Sequence, residues 1–267
     1  MLKKIVFLFV VTVCVGLSAF AQEQGEDVII GTKTVIHSAV LNEDRNVHIF
    51  LPEGYSQAKN RYPVLYTLYS EAADYHFNTG VVAGLTRLRL IPSMITVAFD
   101  LGDGMRDLTP TKSPDYGPTS GGAENFLKFI KAELIPFVEK NYRTAPERLF
   151  WSHSIGGLFG LFALLKEPDV FSAVLVSSPY FVYDGGERHI IKSTKNFLEK
   201  RKGQENFLYI CAGNEPRLLS EIEAFLKILE EAKPQGLAWK YEKMPEENHT
   251  SILARSLAES LRAFGSK

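Results

Sequence analysis

Residues 148–157 read Arg-Leu-Phe-Trp-Ser-His-Ser-Ile-Gly-Gly, an apolar strand that breaks into small residues and then into a helix. Few local patterns constrain a fold so tightly. A serine at the tip of such a turn, here Ser154, has strained backbone dihedrals and an Oγ that projects from the carboxyl edge of a sheet. The residues two before and two after it must be small, because strand and helix backbones nearly touch there. Ser152 and Gly156 meet that demand, and Gly157 extends the close approach. The turn also aims the backbone N–H of Ile155 from the helix N-terminus, where an oxyanion can be held. The usual pattern is G-x-S-x-G, and serine replaces its first glycine here. The competing structural role for Ser154 is a plain helix N-cap.

Chain order separates the two. An acid, Glu215, follows the apolar stretch 206–213, and His249 follows the stretch 237–244. Nucleophile, acid, histidine is the order of the α/β-hydrolase fold. His249 would take the Ser154 proton and later return it to the leaving group, with Glu215 orienting the imidazole. Asp184 is the alternative acid, and a Ser-His pair without an acid is a third possibility. Among the other histidines, His37 and His48 fall in an opening strand pair, His153 inside the turn and His189 in a polar connection. His76 follows the third strand and is a candidate for the pocket rim.

The remaining stretches agree with that fold class. Residues 34–40 and 46–51 read as paired strands about a polar turn at 42–44, while 63–69 and 93–99 are continuous apolar runs suited to strands covered on both faces. Residues 125–142 repeat apolar side chains at helical spacing and predict one long amphipathic helix. A helix over 156–165, a strand over 173–177 and helices over 222–229 and 251–264 complete the alternation. Strands alternating with helices imply a mostly parallel sheet with helices on both faces. The ligand site of such a sheet lies beyond the carboxyl ends of its strands, where Ser154, Glu215 and His249 all fall.

The N-terminus reads as a signal peptide over residues 1–21: Lys3-Lys4, an apolar run over 5–17, and Ala19-Phe20-Ala21 as the cleavage site. Cys14, preceded by Val13, is a poor lipoprotein cysteine. The mature chain is expected to begin at Gln22, to form one domain over 22–267, and to be periplasmic or secreted without a membrane anchor. It would carry 28 basic and 31 acidic side chains with no block of like charge, which gives no footing for nucleic acid or an anionic membrane. Cys211 alone would survive processing, so no internal disulfide is possible; its apolar strand marks it as a core residue. No metal-ligand spacing and no glycine-rich phosphate loop occurs, so neither metal nor cofactor is expected.

Several further segments carry a resemblance. These are Tyr62-Pro-Val-Leu-Tyr66, Arg106-Asp-Leu-Thr-Pro-Thr111, Ser120-Gly-Gly122, the run 126–142, Ser152-His-Ser-Ile-Gly-Gly-Leu-Phe159, Ser178-Pro179 and Pro245-Glu-Glu-Asn-His249. Over residues 39–264 the chain resembles the esterase D / enterochelin-esterase family of α/β-hydrolases. That family includes siderophore, feruloyl and acetyl esterases and S-formylglutathione hydrolases. The resemblance implies a cofactor-free carboxylic ester hydrolase, and the segment 106–111 is similar to the siderophore-esterase branch. Three departures stand out. Tyr69-Ser70, then Glu71, replaces the Asp-Gly that ends the third strand in relatives. Tyr180-Phe-Val-Tyr183 replaces a tryptophan-rich turn, and Ser152 replaces the first glycine of the elbow. A backbone N–H survives any side chain but proline, so Ser70 or Glu71 remains the candidate for the second oxyanion donor.

The expected reaction is hydrolysis of a small-molecule or carbohydrate ester through an acyl-enzyme. Alternatives are acyl transfer by the same triad, an inactive carbohydrate- or siderophore-binding relative, and a peptidase. Arg106 is either a structural partner of Asp107 or a cation for an acidic or catecholate substrate. Tyr69, Tyr75, Tyr180 and Tyr183 are candidates for an aromatic wall along the site.

Overall fold

In the computed structural model, residues 28–69, 72–184 and 187–266 are described. Ser70, Glu71 and the expected signal peptide therefore lie outside the described residues. Eight strands form one sheet in the order β1-β2-β4-β3-β5-β6-β7-β8. They are β1 (Thr32–Ser38), β2 (Glu43–Phe50), β3 (Tyr62–Tyr69), β4 (Ile95–Asp100), β5 (Thr144–His153), β6 (Ala173–Ser177), β7 (Asn206–Ala212) and β8 (Leu237–Lys243). From β4 to β8 all neighbours are parallel, and the β1–β2 hairpin joins the β4 edge antiparallel. This is the α/β-hydrolase architecture expected from the alternation of elements.

The central strands β6 and β7 are buried along their whole length, as strands covered on both faces must be. One face is covered by α1 (Ala72–Arg87) and α8 (Ile252–Gly265), whose Val82, Leu257 and Leu261 pack on Leu149 and Leu175. The other face carries α5 (Ser154–Lys166), α6 (His189–Glu199) and α7 (Pro216–Ala232), together with α3 (Ala123–Phe129). A π-helical turn over Ile130–Leu134 joins α3 to α4 (Ile135–Asn141), so the long helix of residues 125–142 is an interrupted one. Pro136 stands in the first turn of α4 and has no N–H for a regular α-helical ladder.

Two features position the site. First, β3 lies between β4 and β5, and the chain leaves β3 for α1 on one face and β5 for α5 on the other. A crevice opens where such connections diverge. Second, a buried ion network anchors the loop after β4. Arg45 of β2 donates to the Asp100 carbonyl at 2.9 Å and to Asp107 Oδ2 at 2.6 Å. Asp107 and Arg106 sit on the short helix α2 (Gly104–Leu108). Arg106 Nε donates to Asp107 Oδ1 at 2.7 Å, and its other nitrogens reach Glu43 at 2.6 and 3.1 Å. Arg45 is 1% exposed and its guanidinium also lies over the rings of Phe126 and Phe129.

Candidate active site

Ser154 joins β5 to α5 with φ of 55°, a left-handed conformation that a non-glycine residue adopts only under constraint from its surroundings. The constraint is visible in the neighbouring glycines. A Cβ on Gly156 would lie 3.2 Å from Ser152 Cβ and 3.1 Å from Leu68 Cδ1, and one on Gly157 would lie 3.2 Å from Pro179 Cα. Strand, helix and the loop after β6 thus meet with no room for larger residues. Ser152 is accommodated because its hydroxyl donates to the Gly156 carbonyl at 2.8 Å. The Ile155 N–H stands in the first turn of α5, where no helical carbonyl precedes it.

The loops after β7 and β8 bring the other two residues in. Gly213 backs so closely on Glu247 that a Cβ there would lie 2.5 Å from the Glu247 carbonyl oxygen, and Asn214 N–H donates to that oxygen at 2.7 Å. The Asn248 side chain accepts from Thr250 and Ser251 N–H at 2.9 and 3.0 Å, which fixes the turn bearing His249. His249 Nε2 lies 3.0 Å from Ser154 Oγ, and its Nδ1 is hydrogen-bonded to Glu215 Oε1. Glu215 Oε2 accepts from Gly213 N–H at 3.1 Å and from the Ser178 hydroxyl at 2.5 Å. Ser178 is fully buried, has a left-handed φ of 45°, and donates its N–H to the Cys211 carbonyl at 2.8 Å. Such a chain can move a proton from a hydroxyl to an imidazole while a carboxylate holds the ring in one tautomer.

His153 lies behind His249, with ring centroids 4.5 Å apart. Burial, and secondarily the His249 ring, push its pKa down to about 4. In the unfolded chain a histidine titrates near 6.5. Between these values the unfolded state binds more protons, so this residue's contribution is complete above pH 6.5 and is lost as pH falls towards 4. The contribution lost is about 3 kcal/mol at most. Thermal unfolding of His153→Phe is therefore expected to depend less on pH over that interval than unfolding of the unaltered chain. Parallel pH dependences in the two proteins would refute it.

Other candidates are placed differently. Tyr183 is buried against Thr111, whose N–H donates to its phenol at 3.1 Å, so it braces the loop after β4 and does not line the site. Arg106 is committed to Asp107 and Glu43, and those carboxylates hold its pKa above the usual value, which leaves no cation for a substrate. His76 is exposed on α1 with its ring against Tyr75; the helical period turns Asp74, Phe77 and Asn78 towards the crevice instead. Asp184 caps α6 by accepting from Arg188 and His189 N–H at 3.0 and 2.8 Å. Tyr75 is buried against His48; Tyr69 packs on the same ring but also lines the crevice at the end of β3. Tyr180 does stand at the site: its N–H donates to the Ser154 carbonyl at 3.0 Å, and its phenol accepts from Tyr116 at 3.3 Å. Cys211 is fully buried, and burial raises its thiol to about 12. Among the described residues no group of three or more metal-ligating side chains occurs.

A crevice of about 240 Å3 opens between the end of β3, α1 and the elbow, lined in part by Leu68, Leu101, Leu108 and Ile155. Sheet, elbow and crevice together define an α/β-hydrolase. A family model described as "Putative esterase" matches residues 38–252, and the chain belongs to that esterase family, in its enterochelin-esterase-like part. It is a carboxylic ester hydrolase. The ferri-bacillibactin esterase BesA of Bacillus subtilis is 28% identical over 253 residues, covering 83% of this chain and 85% of its own. The crystal structure of an IroE-like serine hydrolase from Shewanella oneidensis superposes with a TM-score of 0.81 at 28% identity, covering 88% of this chain and 80% of that one. The siderophore hydrolase EstB of Aspergillus nidulans shares the fold, with a TM-score of 0.78 at 19% identity over 91% of this chain and 97% of its own.

Proposed function

We propose that the chain is an exported serine esterase that cleaves a small-molecule carboxylic ester by acyl transfer. The observation that carries this reading is the hydrogen-bonded series Ser154–His249–Glu215 at a strained elbow. Ser154 attacks the ester carbonyl while His249 takes its proton, then returns it to the leaving alcohol. Glu215 stabilises the imidazolium. The Ile155 N–H and an N–H of Ser70 or Glu71 hold the oxyanion, and water releases the acyl group. Siderophore-type esters come first among substrates to try, a choice supported by the relatives' names, with feruloyl or acetyl esters of carbohydrates next. Lys3-Lys4 and the apolar run 5–17 support export, and no helix of the described residues is long and apolar enough to cross a membrane.

Reaction of the purified protein with a fluorophosphonate, followed by mass mapping, tests the reading. Labelling at Ser154 that is lost in His249→Ala supports it, while a folded protein that stays unlabelled refutes it.

Ser178 acts in this scheme as a positioning residue. Glutamate has one more torsion than aspartate, and the Ser178 hydroxyl removes that freedom by holding Oε2. Ser178→Ala keeps the left-handed backbone under the same strain, whereas Ser178→Gly relieves it. Both are expected to lower kcat about tenfold with KM little changed, since a hydrogen bond to a charged group contributes about 1.5 kcal/mol or more. A loss confined to one of the two variants would trace the effect to the backbone.

A further inference from the structure

The end of the sheet opposite Ser154 gathers three cations that no carboxylate among the described residues neutralises. Arg61 and Arg143 stand just before Tyr62 and Thr144, the paired first residues of β3 and β5. Each guanidinium reaches across to the other strand. Arg61 Nη1 donates to the Thr144 carbonyl at 3.1 Å, and Arg143 Nε donates to the Asn60 carbonyl at 3.2 Å. Arg143 also donates to the Tyr55 carbonyl, and its guanidinium carbon lies 3.8 Å from the centre of the Tyr55 ring. This reciprocal clamp draws the two charged groups together, yet all these acceptors are neutral carbonyls. Lys140, in the last turn of α4, joins them, and the three line one concavity of about 410 Å3. The acid on its wall, Glu139, is already held by Arg148 at 3.0 Å.

Donors outnumber acceptors here. The Tyr55 phenol oxygen accepts from the Arg143 N–H at 2.8 Å, which leaves the phenol proton to give. Arg143 Nη1, Arg61 Nε and Nη2, and Lys140 Nζ have no acceptor among the described residues. A lone surface lysine is simply solvated. Two guanidiniums drawn together by their own carbonyl bonds repel each other, and a bound anion offsets that repulsion. The whole chain carries a net charge of −1, so the cluster is not one face of a generally basic protein.

The charge selects the anion. With Glu139 and Arg148 cancelling, three positive charges surround the concavity. A carboxylate brings one negative charge and two oxygens, whereas a phosphate monoester brings about two charges at neutral pH and three acceptor oxygens. Guanidinium forks match phosphate oxygens in pairs, and an ammonium adds a point charge. Ester cleavage lies elsewhere: the 10 residues of β5 run from this end to the elbow, roughly 30 Å of extended chain.

We propose that this concavity is a phosphate-binding site, separate from the site of ester cleavage. A free phosphate and a phosphate on a lipid headgroup present the same chemistry to it.

The test is calorimetric titration with inorganic phosphate above its second pKa, against sodium chloride of equal ionic strength. Phosphate is expected to bind, and to raise Tm beyond the chloride control. In Arg61→Gln the dissociation constant is expected to rise about tenfold, the worth of one hydrogen bond to a charged group. Lys140→Gln, which gives up no hydrogen bond or ion pair among the described residues, is expected to weaken binding without disturbing the fold. Binding no stronger than the chloride control would overturn the site. So would an affinity that neither variant lowers, with Lys140→Gln deciding alone if Arg61→Gln fails to fold. Sedimentation with phosphatidylcholine vesicles, with and without phosphatidic acid, separates the two sources. Capture that needs both phosphatidic acid and Arg61 assigns the phosphate to a headgroup, and titration without capture assigns it to a free ligand.

Discussion

Exchange of Ser154 for alanine is expected to lower kcat for ester hydrolysis by about 10^4-fold or more, with the protein still folded. The size follows from what is removed. In the proposed mechanism the loss of Oγ removes the acyl-enzyme, and His249 Nε2 loses the hydroxyl 3.0 Å away from which it would take a proton. What remains is binding and oxyanion stabilisation of a direct attack by water, worth about 10^3–10^4 over the uncatalysed rate in comparable enzymes. Folding should be little affected, because alanine at a φ of 55° meets the same steric strain as serine. Steady-state rates on p-nitrophenyl acetate, with circular dichroism as the control, make the comparison. Retention of more than a few per cent of activity by a folded variant would place the chemistry elsewhere.

The largest expected loss of stability lies at Arg45. Truncation to alanine removes the buried partner of Asp107, whose side chain is 1% exposed, and opens a void against Phe126 and Phe129. A broken buried ion pair typically costs about 3–5 kcal/mol, because the surviving charge keeps its desolvation penalty. For a domain of this size that is a fall in Tm of roughly 10 °C. Arg45→Lys should recover little of it, since one ammonium cannot present the planar fork that reaches Asp107, Glu43 and the Asp100 carbonyl together. Thermal unfolding decides the matter; a change below about 2 °C would mean that Arg106 alone compensates Asp107. Because Leu101 and Leu108 belong to the same loop, the variant should also loosen one wall of the crevice.

The strand–turn–helix of Ser154 was legible in the sequence because its requirement is local: small residues at fixed offsets around a strained serine. Glu215 and His249 were legible because the fold dictates their order. What a linear reading misses is contact across distance. Arg106 stayed open between a partner of Asp107 and a substrate cation because Glu43, 63 positions earlier, is invisible as its second partner. Tyr183 was placed in an aromatic wall because Thr111, 72 positions away, gives no sign that it will hold the phenol. Ser178 stood out only as part of a motif; its bond to Glu215 depends on β6 and β7 lying side by side. Helix α1 escaped notice for a different reason. Gly80 and Gly84 weaken its helical signal, and Phe77 is exposed, so no clean apolar stripe announces it. Asn78, in its middle, carried no signal of its own.

The left-handed backbone at Ser154 has an evolutionary consequence. Glycine adopts that conformation freely, so Ser154→Gly should raise stability by about 1 kcal/mol while abolishing the nucleophile. Ser178, with its φ of 45°, differs, because glycine there would also give up the hydroxyl bond to the Glu215 carboxylate. A laboratory selection that rewarded heat resistance and ignored turnover would discard Ser154 early. Its presence is what selection for turnover, and not for robustness, would keep.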